Sequence, residues 1–188
     1  PVRDGDGKLL FRPGGHGALI ENLNQLEADI IFIKNIDNII IHKKESIALY
    51  KKALAGILLD FQQKVFFYLH AIDANDVPES MITEMKDFLS SCLNVDIHVT
   101  DFDMYTFDNK IKVLKKLLNR PIRICGMVKN EGEPGGGPFW VKGDNDVISL
   151  QIVESSQIDL TNQTQANILA SATHFNPVDI VLLFIKVF

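Results

Sequence analysis

An α/β domain, with a mixed sheet flanked by helices, is the fold class that this 188-residue sequence predicts. Three observations carry that reading. The glycine-rich turn Phe11-Arg12-Pro13-Gly14-Gly15-His16-Gly17-Ala18-Leu19 opens onto a short helix, and the continuous apolar run Ile30-Ile31-Phe32-Ile33 follows it. From Lys43 the hydrophobic period lengthens to three- and four-residue steps. After Arg120-Pro121 short runs rich in β-branched and aromatic residues return. Strand-like and helix-like segments in this order build helices packed on a sheet.

Each element has its own warrant. In the helix from Gly17 to Leu26, Ala18, Leu19, Leu23 and Leu26 share one face, with Glu21 and Asn22 outward. The run Ile30–Ile33 suits a strand covered on both faces, as in a parallel sheet. From Lys43 to Ala71 a long amphipathic helix carries Ile47, Tyr50, Leu54, Ile57, Leu58, Phe61, Val65 and Leu69 at helical spacing. Asp76-Val77-Pro78-Glu79 ends it and starts a second helix, with proline and acids at the new N-terminus. That helix brings Ile82, Met85, Phe88, Leu89 and Cys92 to one side, and a third, Phe107 to Asn119, brings Ile111, Leu114, Leu117 and Leu118. Strands are predicted at Ile122–Val128, Phe139–Val141 and Val147–Val153. Between the first two, the stretch Asn130–Pro138 holds four glycines and two prolines, which prescribes a loop with unusual backbone angles. The organisation is part of one domain over 1–188, its sheet interrupted by a helical insertion over 43–119.

Composition narrows the function. A net charge of -5 argues against a nucleic-acid binder, which carries a basic patch. It is compatible with a small anionic ligand held by backbone amides and a metal. The basic face Lys110, Lys112, Lys115, Lys116 and Arg120 reads as solvated. The final apolar run, Ile180 to Phe188, is far shorter than the roughly 20 residues that span a bilayer, so no membrane partner is expected. Two cysteines far apart, Cys92 and Cys125, suit a reducing, cytoplasmic setting. Pro1–Lys8 has the pattern of a hairpin's middle and the last residues that of a strand awaiting a neighbour, so both ends predict a piece of a larger protein.

Several residues are candidates for chemistry. The glycines of Pro13–Gly17 let the backbone lie against a base or sugar, with His16 at ribose or phosphate; the same residues also make an ordinary turn between hairpin and helix. This is neither a Walker A loop nor the Rossmann fingerprint, since the Gly-Lys-Ser/Thr ending and the glycine spacing are absent. In Asn35-Ile36-Asp37-Asn38 a carboxylate follows a buried strand, where it can hold Mg²⁺ or cap the next segment as an Asx-turn. Glu154 ends a strand and either meets a ligand or caps the turn that follows. Asn176, in His174-Phe175-Asn176-Pro177, reads a ligand hydroxyl or satisfies local backbone. Glu131 and Glu133, in the glycine-rich loop, are either metal ligands or solvated loop charges, and the second reading is preferred. No histidine and cysteine pairing has zinc spacing, and no Gly-x-Ser-x-Gly elbow occurs.

Together these pieces resemble the UDP-sugar pyrophosphorylases, that is, the UDP-glucose and UDP-N-acetylhexosamine uridylyltransferases. Pro13–Gly17 and Asn35–Asn38 match that family's Pro-x-Gly-x-Gly loop and Asn-x-Asp-Asn motif. Val153-Glu154-Ser155-Ser156-Gln157-Ile158 and Phe175-Asn176 look like its sugar-binding strand end and turn. Over nearly the whole chain the sequence is similar to a family of uncharacterised bacterial proteins, a domain of unknown function. The shared segments are Phe-Arg-Pro-Gly-Gly-His-Gly and Gly-Met-Val-Lys-Asn-Glu-Gly-Glu-Pro-Gly-Gly-Gly-Pro-Phe. The first resemblance implies a truncated nucleotide-diphospho-sugar transferase fold of the GT-A, Rossmann-like kind. It implies nucleotide contacts at Gly14, Gly15, His16, Gly17 and Asn35, sugar contacts at Glu154, Phe175 and Asn176, and Mg²⁺ at Asp37. The chain departs from that family in lacking its Gly-Gly-x-Gly-Thr-Arg triphosphate loop and in carrying Val178 where a second asparagine is expected. Lys34 and Lys129 are the candidates for the missing cation.

The function expected is a uridylyltransferase-like domain that binds UTP or a UDP-sugar with Mg²⁺. Two alternatives stand beside it. One is a catalytically inactive nucleotide-sugar binder. The other is a helical interaction module whose exposed apolar stripe predicts self-association.

Overall fold

The computed structural model describes residues 3–11, 17, 19–35, 43–95, 97, 102–132, 135–143 and 148–183. Five helices and seven strands lie among them: α1 Leu19–Asn24, β1 Ile30–Lys34, α2 Lys44–Asp73, α3 Glu79–Ser91, α4 Phe107–Leu118, β2 Ile122–Cys125, β3 Val128–Lys129, β4 Gly137–Lys142, β5 Ile148–Val153, α5 Gln163–Ala170, β6 His174–Phe175 and β7 Asp179–Leu183. The class is α/β. Among the described residues no helix is long and apolar enough to cross a membrane.

The central sheet has the order β1-β7-β2, and β3 with β6 and β4 with β5 form two further ribbons. All these pairings are antiparallel. The apolar run of β1 therefore does not sit in a parallel sheet. Its neighbour β7 runs against it, with Phe32 opposite Val181 and Lys34 opposite Asp179. Nor is β1 covered on both faces: Ile31 is buried, but Phe32 is 50% exposed.

Helices and sheet share one core. Leu58, Val65, Tyr68, Leu69 and Ile72 of α2 join Ile82, Met85, Phe88 and Leu89 of α3, Leu114 and Leu118 of α4, and Ile122, Val181 and Leu183 of the sheet. The three-to-four-residue pattern thus names the buried faces of α3 and α4 correctly. In α2 it holds from Leu54 onward apart from Ile57: Leu58, Val65 and Leu69 are buried, and Leu54 and Phe61 pack against the core. A helix of 30 residues is about 45 Å long; its N-terminal half leaves Leu49 at 67% and Tyr50 at 72% exposure, and Ile57 too stays largely outside. Asn75, at φ 54, turns the chain between α2 and α3 in the left-handed region that asparagine tolerates.

Three local departures from the sequence reading bear on the site. The segment Ile122–Val128 is two strands, because the chain breaks at Gly126 to meet β7: the Gly126 N–H donates to the Asp179 carbonyl at 2.7 Å. Helix α1 has only six residues and buries none of them, so the face carrying Leu19 and Leu26 is uncovered. Helix α5 has no counterpart in the hydrophobic pattern. It starts instead on a polar cap, the Asn162 side chain accepting from the N–H groups of Thr164 and Gln165. Near the start, Arg3 bridges Leu9 across a hairpin, as the opening residues suggest.

Candidate functional site

Four sequence-predicted residues, Asn35, Glu154, Phe175 and Asn176, lie on segments that converge where β1 ends, β7 begins and the glycine-rich strand β4 starts. The joint is the turn Asn176-Pro177-Val178. Asn176 is 4% exposed. Its side-chain amide donates to the Gly126 carbonyl at 2.7 Å, its Oδ1 accepts from the Val178 N–H at 3.0 Å, and its own backbone N–H donates to the Gly136 carbonyl at 2.7 Å. One side chain therefore ties the β2–β3 break to the β6–β7 turn, while its backbone holds the glycine run. The Asn35 N–H reaches the Val178 carbonyl at 3.4 Å, which brings the end of β1 to the same turn. Val178 sits at φ 56. That conformation is a genuine outlier for a β-branched residue and costs about 1–3 kcal/mol, so the surrounding bonds must hold it.

Glycines bring the strands close enough to make the site. A Cβ on Gly135 would stand 3.0 Å from the Phe175 ring, and one on Gly136 would stand 2.8 Å from both Glu154 Oε1 and Ile152 Cγ2. On Gly137 it would meet the Phe139 ring at 2.9 Å. The glycine run is thus a floor over which the Phe175 ring and the exposed Glu154 carboxylate lie. Glu154 also begins the turn Ser155–Gln157, its N–H taken by the Gln157 side chain at 2.9 Å. Its carboxylate faces Gly136 rather than only closing that turn.

A cation stands beside the joint. Lys34 Nζ donates to Asp179 Oδ2 at 2.7 Å and to the Pro177 carbonyl at 3.4 Å, with both side chains largely shielded from water. Asp179 Oδ1 is buried and has no hydrogen-bond partner among the described residues. The other candidate cation, Lys129, is on the exposed ribbon strand β3. Gly17 is exposed, and a side chain there would meet nothing within 4 Å among the described residues. Gly14, Gly15, His16 and Asp37 lie outside the described residues.

Among the described residues no group of three His, Cys, Asp or Glu converges as a metal site. Magnesium does not need one, since one or two carboxylates with phosphate oxygens and water complete its shell. Among the described residues, Asp179 Oδ1 is a buried carboxylate oxygen without a hydrogen-bond partner that could join such a shell.

Sequence reasoning missed Gly126, Asp179 and the left-handed Val178. Gly126 and Val178 leave no periodic signal. The Lys34–Asp179 pair joins residues 145 apart in sequence and follows only from strand register.

The comparisons agree with this sequence reading at the level of family. The family described as "Domain of unknown function (DUF4301)" matches residues 1–186. The chain belongs to that family. No curated protein and no solved structure matches it. The site of this DUF4301 member is accordingly read from its own residues.

Proposed function

We propose that this DUF4301 domain binds a nucleotide-sugar, UTP or a UDP-sugar, in a uridylyltransferase-like site at the joint of β1, β4 and β7. The observation that carries the reading is that Glu154 and Phe175 lie against the close-packed glycines 135 and 136, while Asn35 and Asn176 hydrogen-bond at the adjoining turn. Asn35, Glu154 and the neighbouring Phe175 and Asn176 come from three separate stretches of the sequence, and the resemblance to the UDP-sugar pyrophosphorylases implies one ligand class for them. In this reading the Glu154 carboxylate accepts hydrogen bonds from sugar hydroxyls, and the Phe175 ring covers a sugar face. Asn176 fixes the turn, its bonds being spent mainly on backbone. Asn35 and the glycines of Gly14–Gly17, with His16, receive the uridine side, and Lys34 stands nearest to the phosphates. Asp37 would hold Mg²⁺, which when bound would supply positive charge against the diphosphate. Attack of a sugar 1-phosphate on the α-phosphorus of UTP would need positioning and charge stabilisation rather than a protein nucleophile. The nucleotide-diphospho-sugar transferase fold of the GT-A kind belongs to this same proposal.

Calorimetric titration with UTP, UDP-glucose and UDP-N-acetylglucosamine, with and without Mg²⁺, tests it. We expect magnesium-dependent binding that Asp37→Ala weakens at least tenfold. Absence of binding to all three ligands removes the proposal.

A second reading has its own observation. Leu49, Ala53 and Ile57 fall four residues apart on the outer side of α2, with Tyr50 beside them, and all four are exposed. Such a stripe is a surface for self-association, and it is compatible with ligand binding at the joint.

A further inference from the structure

We infer that the cleft between β2 and β5 is a second binding site, one that takes a small amphipathic anion: an apolar body with a carboxylate or phosphate head. Strand β2 pairs only with β7 among the described strands, and its other edge opens into a cavity of about 580 Å³. That size lies within the range of small-molecule pockets. Leu93, Leu117, Ile124, Met127, Leu150 and Ile152 supply its apolar wall. Its charges are of one sign. Arg120 and Arg123 line it, and no Asp, Glu or Lys does so among the described residues, although the whole chain carries -5.

Neither arginine is neutralised by a carboxylate among the described residues. Arg120 Nε donates to the Leu117 carbonyl at 3.0 Å, which anchors the guanidinium at the end of α4 and leaves its terminal nitrogens without a described partner. Arg123 Nη2 crosses the cleft to Gln151 Oε1 at 2.7 Å, and the Gln151 amide is oriented by donating to Ser149 Oγ at 3.1 Å. Two guanidinium groups with only neutral partners, at the mouth of an apolar cavity, select an oxyanion attached to an apolar body. The cleft is separate from the joint: Gly126, Gly135, Gly136, Glu154 and Asn176 do not line it.

Both cysteines do line it and both are free, which provides a direct readout. Alkylation of Cys92 and Cys125 by iodoacetamide, followed by peptide mass spectrometry, would be timed with decanoate or decyl phosphate below their micellar concentrations, or with decan-1-ol below its solubility limit. The comparison is wild type against Arg120→Gln/Arg123→Gln; both positions are exposed, and circular dichroism checks the fold. The expected result is slowed alkylation in wild type with at least one anion. The double variant should need at least tenfold more of that anion for equal protection, as follows from losing charged hydrogen bonds. Whichever anion protects at lower concentration identifies the head group. Three results would overturn the inference: no protection by either anion, protection indifferent to the two arginines, or decan-1-ol protecting as well as the anions.

Discussion

Val178 and Asn176 show how much of the site rests on single residues. Val178 holds φ 56 against its own preference because the Asn176 side chain and the Asn35 N–H bracket its peptide groups. Asparagine tolerates the left-handed region far better than valine. Val178→Asn should therefore stabilise the domain by about 1 kcal/mol, read as a higher urea midpoint with an unchanged slope. A lower midpoint would mean that the valine side chain contributes more by packing than its backbone costs. Two titrating groups give a pH dependence of definite sign. Burial raises the Cys125 thiol, with the Arg123 guanidinium opposing; burial and then Glu84 raise the Tyr68 phenol. The folded chain holds both protons more tightly than the unfolded chain. Stability is therefore full below the unfolded values, about 8.5 for a thiol and 10 for a phenol, and is lost as pH rises through the folded ones. Urea midpoints measured from pH 7 to pH 11 should fall above about pH 8.5, and Cys125→Ala should delay the onset. Both predictions rest on tertiary surroundings. The resemblance to the UDP-sugar pyrophosphorylases implies an asparagine where Val178 stands, and the left-handed backbone there is one that asparagine tolerates better.

Among the elements, the glycines divide by what surrounds them. Gly56 lies inside α2 with nothing near its missing Cβ, whereas Gly136 lies in the approach to β4 with Glu154 and Ile152 against it. Gly56→Ala should stabilise by about 0.5–1 kcal/mol, since alanine only gains helix propensity there. Gly136→Ala should destabilise by about 1–3 kcal/mol through overpacking. Thermal unfolding of the pair checks both, and equal effects would deny that the glycine run is a close-packed floor. Much of this level was legible in advance. Hydrophobic spacing locates α2, α3 and α4, and Asn130–Pro138 is visibly a special loop. The sequence did not show strand direction or the break at Gly126, because an apolar run such as Ile30–Ile33 suits several kinds of sheet. It also did not show α5, whose start is polar chemistry at Asn162 rather than a hydrophobic stripe.

For the molecule as a whole, one core joins three helices to the sheet, and function is assigned to its margins. The outer stripe of α2 predicts self-association, so sedimentation velocity should show a weight-average mass rising with concentration. Tyr50→Lys should return the chain to monomer; a monomer at all concentrations would remove that reading. The resemblance to the UDP-sugar pyrophosphorylases implies one ligand class for Glu154, Phe175 and Asn176, but the approach of their segments to Gly135–Gly136 required the fold, since strand register sets it. The central claim is that this meeting point reads a sugar attached to a nucleotide. Calorimetric titration of UDP-glucose and of UDP, both with Mg²⁺, into wild type and Glu154→Gln tests it most directly. The account predicts that wild type binds UDP-glucose more tightly than UDP, by about tenfold for hydrogen bonds to a charged acceptor, and that Glu154→Gln brings the two affinities together. Equal affinities in wild type, or a preference that survives in the variant, would contradict it.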